Sequence, residues 1–94
     1  MRTEITEPIY QVYMECDWDM WDRQAIKLFK SRNEARAYAL GLVDEVIKEM
    51  FEEDEEGQVN VIIERANDGK ALEVWYIIDG KLDFHYEKGV KVIA

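Results

Sequence analysis

The sequence predicts an α+β fold: an antiparallel β-sheet in the order β-β-α-β-β-β with one amphipathic helix packed on one face. Three observations predict it. Apolar and polar residues alternate in several short runs, one long stretch repeats apolar residues at helical spacing, and Asp-Gly turns join the later strands too closely for parallel crossovers.

The first run is Ile9 to Cys16, with Tyr10, Val12, Met14 and Cys16 on one side and Gln11 and Glu15 on the other. That period of two marks a half-buried strand. Gln24 to Phe29 reads as a second strand, with Ile26 and Leu28 sharing a face. Asp17 to Asp22 then forms the tip of a first hairpin, carrying Trp18 and Trp21.

The helix begins at Ser31, which forms an S-x-x-E capping box with Glu34. Behind it Ala35, Tyr38, Ala39, Leu42, Val43, Val46, Ile47 and Met50 recur at helical spacing as far as about Phe51. Gly41 inside this run marks an expected close backbone approach, since glycine there costs about 1 kcal/mol relative to alanine. The stretch IKLFKSRNEARAYALGLV is similar to a local pattern of many small bacterial and phage proteins. Capping and amphipathicity account for it, so it names no family.

Val59, Val61 and Ile63 alternate with Asn60 and Glu64 in a third strand, and Asn67-Asp68-Gly69 turns it into a fourth, Ala71 to Ile78. Asp79-Gly80 is a strong two-residue hairpin signal. Pairing Ile78 with Lys81 sets Ile77 opposite Leu82, Trp75 opposite Phe84 and Glu73 opposite Tyr86. A short tail strand, Val90 to Ile93, is expected after Lys88-Gly89.

The chain of 94 residues, 48% of them hydrophobic, suits one packed domain over residues 1–94. One cysteine, Cys16, excludes an internal disulfide and any multi-thiolate metal site. The acidic start without an apolar run is unlike a signal peptide, and no stretch approaches the roughly 20 apolar residues of a membrane span. A cytoplasmic protein without membrane contact is the expectation.

Net charge is −9, and its placement matters more than its size. Residues 1–48 contribute −2, residues 57–94 contribute −1, and the eight residues EMFEEDEE between them contribute −6. Direct nucleic-acid binding, which needs a basic surface, is not expected. The acids Glu49, Glu52, Glu53, Asp54, Glu55 and Glu56 sit where a helix C-terminus disfavours negative charge, by about 0.3–1 kcal/mol. Arg23, Lys27, Lys30, Arg32 and Arg36 crowd the opposite end, where acids are favoured. Local stability does not explain either placement.

Catalytic patterns are weak. Ser31 serves as a helix cap, Cys16 lies on the expected core face, and the five glycines form no phosphate loop. Asp17, Asp19 and Asp22 fail the calcium-loop pattern at its glycine and at its last position, which is Leu28. Asp83, His85 and Glu87 share one side of a strand, but neighbours about 6–7 Å apart in a row do not converge on an ion. They read as a solvent-facing polar strip.

The expectation is therefore a small acidic protein that is not an enzyme, needs no cofactor or metal, and binds a protein partner with a basic surface. Its sharper form is a phage-type inhibitor that presents carboxylates in place of phosphates. The candidate residues are Glu49, Glu52, Glu53, Asp54, Glu55 and Glu56, with Trp18 and Trp21 as aromatic anchors. The alternative is a homo-oligomeric structural or accessory protein. If the helix covers the face with Trp75, Ile77, Leu82, Phe84 and Tyr86, then Leu72, Val74, Tyr76 and Ile78 point away from it, and swapping the faces exposes the other set; either way one apolar sheet face would serve a homodimer.

Overall fold

A computed structural model describes residues 7–52 and 55–88; the expected tail strand Val90 to Ile93 and the acids Glu53 and Asp54 lie outside the described residues. The strands are β1 (Tyr10–Cys16), β2 (Arg23–Phe29), β3 (Gln58–Arg65), β4 (Lys70–Ile78) and β5 (Lys81–Glu87). They form one antiparallel sheet in the order β2-β1-β3-β4-β5. Helix α1 (Arg32–Glu45) continues through a wider π-type segment, Val46–Met50, and leads from edge strand β2 to central strand β3.

The elements form for the reasons the sequence suggests. Ser31 Oγ accepts from the Glu34 N–H at 3.4 Å, so the serine half of the capping box is in place. Asp79 and Gly80 have φ of 53° and 80°, both positive as the tight β4–β5 turn requires. Val12, Cys16, Val59, Val61, Ile63, Trp75 and Ile77 line the helix side of the sheet and pack on Ala35, Ala39, Leu42, Val43 and Val46. Each large aliphatic side chain taken out of water there contributes about 1.5–3 kcal/mol.

Two expectations are corrected. Gly41 sits on the exposed side of α1, and a Cβ there would meet nothing within 4 Å. It marks no close approach. The β4–β5 register also departs from the simple hairpin: Ile77 faces Leu82, but Tyr76 faces Phe84 and Trp75 faces His85. Asp83 is an extra residue, a β-bulge, and everything beyond it changes sides. Phe84 and Tyr86 therefore join Tyr13, Ile62, Val74 and Tyr76 on the face away from the helix. His85 and Glu87 go to the helix side.

A second bulge shapes the β1–β2 edge. Lys27 faces Val12 and Gln24 faces Met14, so Ala25 and Ile26 together span Tyr13. Ala25 holds φ at 54°, which costs an L-residue roughly 1–2 kcal/mol. Its carbonyl accepts from the Tyr38 hydroxyl at 3.1 Å, which ties the bulge to α1. On the open face the Tyr13 hydroxyl donates to Glu64 at 2.9 Å beneath the Arg23 guanidinium. Burial and that carboxylate push the Tyr13 phenol up to about 12.

Candidate partner-binding site

The end of α1 and the loop that follows it lie against the tips of two hairpins. Asp79 holds the loop in both directions: its backbone N–H donates to the Gly57 carbonyl at 2.8 Å, and its carboxylate accepts from the Gly57 N–H at 2.9 Å. The loop is thereby fixed to the β4–β5 turn. From the other hairpin, a short 3-10 turn (Asp17–Asp19) projects Trp18 onto the same loop.

Two glycines make room for two aromatic rings. Gly57 has φ of 155°, and a Cβ on it would stand 2.8 Å from the Trp18 ring. Gly80 has φ of 80°, and a Cβ there would stand 3.1 Å from Phe51 Cβ. Any larger residue would push Trp18 or Phe51 away. The two rings meet edge to face, with centroids 5.6 Å apart and planes at 86°. That arrangement matches the aromatic quadrupoles and adds about 0.5–1.5 kcal/mol to the burial.

Carboxylates surround this aromatic pair. A cleft of about 480 Å³ is lined by Ile47, Phe51, Glu52, Glu55, Glu56, Asp79, Gly80 and Lys81. A second, of about 390 Å³, lies between Trp18, Met50, Glu55 and Glu56. Glu49, Glu52, Glu55 and Glu56 are exposed and enter no ion pair among the described residues. Lys48, the base beside them, is engaged by Asp44 at 3.2 Å. Among the described residues Lys81 is the one cation lining either cleft.

Of the expected site residues, the structure brings Glu52, Glu55 and Glu56 together with Trp18, which is 52% exposed. Glu49 is exposed nearby on the last turn of the helix. Trp21 is also exposed, with φ of 61°, but enters no aromatic pair among the described residues. Phe51 is the member the sequence reasoning missed; its signal was an aromatic residue directly preceding the acids.

A different cluster lies at the opposite end of the helix. Glu73 is fully buried on β4, on the same side as Trp75 and Ile77. Its Oε1 accepts from Arg36 Nε at 3.1 Å and lies 3.0 Å from His85 Nε2. The His85 ring stacks on Trp75, with centroids 4.7 Å apart and planes at 9°. Glu87 faces Glu73 across the strands and pairs loosely with Arg32 at 3.8 Å. His85 and Glu87 are thus half-buried against β4 and the helix, which corrects their reading as a solvent-facing strip. Asp83 stays exposed and apart from them.

Among the described residues neither Ser31 nor Cys16 joins this histidine. Ser31 caps α1, and Cys16 lies fully buried in the core, where burial and neighbouring acids push its thiol up and keep it protonated. Among the described residues no helix is long and apolar enough to cross a membrane. Comparison with protein-family models, with curated proteins and with solved structures finds no match.

Proposed function

We propose that this chain is a non-enzymatic binding protein whose acidic end takes up a protein partner with a basic surface. One observation carries the reading. The fold gathers Glu52, Glu55, Glu56 and Asp79 from separate segments around exposed Trp18 and partly buried Phe51, with Lys81 the one cation among the described residues that line the clefts. An excess of exposed carboxylates favours a positive partner and speeds its approach, while a fixed aromatic pair supplies apolar contact. In the sharper form the partner's surface is one that otherwise holds nucleic-acid phosphates, and binding inhibits it. The test is a pull-down at low salt with the wild-type chain and with the variants Glu52→Gln/Glu55→Gln/Glu56→Gln and Trp18→Ala. Both variants should lose capture while keeping native circular dichroism; undiminished capture by both refutes the reading.

A homo-oligomer assembled through the sheet is the second reading. It is favoured by Ile78, Phe84 and Tyr86, which are 37%, 47% and 39% exposed on the face away from the helix. Light scattering at low and high salt separates the two. A salt-resistant dimer weakened by Phe84→Ser supports sheet assembly, and a monomer at all concentrations excludes it.

A further inference from the structure

We infer that Glu73, His85 and Glu87 form a binding site for one divalent transition-metal ion of the zinc type. Each residue offers a ligand atom, and the three atoms lie within 4.8 Å of one another. The bulge at Asp83 creates this convergence. It turns His85 and Glu87 to the helix side, and Glu73 reaches them from the neighbouring strand.

A second observation points to a ligand. Glu73 is fully buried, yet its Oε2 makes no hydrogen bond among the described residues. A buried carboxylate oxygen without a partner is unfavourable, and a bound cation is one of the groups that can satisfy it. Oε1 is held by Arg36, which orients the carboxylate as outer-shell partners commonly do, and Oε2 has no partner among the described residues. His85 Nε2 is 3.0 Å from Oε1, and the ring plane is fixed by Trp75. The Glu87 side chain, 29% exposed and paired at 3.8 Å with Arg32, supplies the third ligand.

The donor set selects the ion. An imidazole nitrogen with two carboxylates suits zinc and its neighbours, with bonds near about 2.0–2.2 Å and a fourth position left to water. Calcium requires about six to eight oxygens, which this cluster does not supply. Magnesium binds mainly through oxygens and retains several waters. The acidic end supplies a competing, nonspecific sink for cations, so the experiment must distinguish the two locations.

The chain has a single histidine, so its ring nitrogens give unambiguous NMR signals. Zinc ion alone is titrated into the full chain while those signals and the binding heat are followed, with magnesium as control. One equivalent of zinc should shift the His85 Nε2 resonance, and magnesium should leave it unmoved. His85→Gln and Glu87→Gln should each weaken zinc binding at least about tenfold with native circular dichroism retained. An unshifted ring, or full binding heat in the folded His85→Gln protein, overturns the site and assigns the zinc to the acidic end.

Discussion

The two ends of α1 carry charges of the sign its dipole disfavours, but the fold answers them differently. At the N-terminal end Arg32 and Arg36 reach across to Glu87 and Glu73. Glu73 is fully buried and Glu87 half-buried, so the guanidinium groups there are part of the folded structure. At the C-terminal end Glu49, Glu52, Glu55 and Glu56 enter no ion pair among the described residues, and Lys48 is engaged by Asp44. A misplaced charge that the fold neutralises is explained by the fold. One that the fold concentrates without a counter-charge among the described residues is where the proposed partner would bind.

Breaking the paired end should give the largest effect. Arg36→Ala removes the guanidinium from buried Glu73 and should cost roughly 2–3 kcal/mol in urea unfolding, because the carboxylate stays buried with less compensation. A cost below the error of the measurement would show that the pair is idle. Gly57→Ala attacks the other end through its aromatic floor. The new Cβ clashes with Trp18 and the backbone is poor for an L-residue, so a loss of about 1–3 kcal/mol and a shift in tryptophan emission are expected.

Between the two ends, Gly41→Ala serves as a control that touches neither. With open space at its Cβ it should stabilise the protein by about 0.5–1 kcal/mol. The smallest effect is the most informative. Glu52→Gln/Glu55→Gln/Glu56→Gln should change stability by no more than about 0.5 kcal/mol, with relief of repulsion favouring a gain. A loss comparable to that of Arg36→Ala would mean that these acids are structural and that the contrast between the ends is false.

Much of this architecture was legible before any coordinates. The capping serine, the alternation in Tyr10 to Cys16 and the Asp79-Gly80 turn act through local rules, and local rules can be read from a sequence. The acidic end was legible as composition. The bulge at Asp83 was not, because nothing in KLDFHYE distinguishes a regular strand from one with an extra residue. That single residue decides whether His85 faces solvent or Glu73. One sign did exist: Glu73 shares the inward spacing of Trp75 and Ile77, and a charge at a core position implies a partner. The meeting of Trp18 with Phe51 joins distant segments through the sheet and has no local signature.

The central claim is that the unmatched acids serve a basic partner, and competition by a polyanion tests it most directly. Immobilised wild-type chain and the triple glutamine variant are loaded at low salt with the same cell extract, then washed with heparin. The expected result is a protein retained by the wild type, released by heparin and absent from the equally folded variant. Retention that is the same on both chains, or that heparin does not disturb, would contradict it.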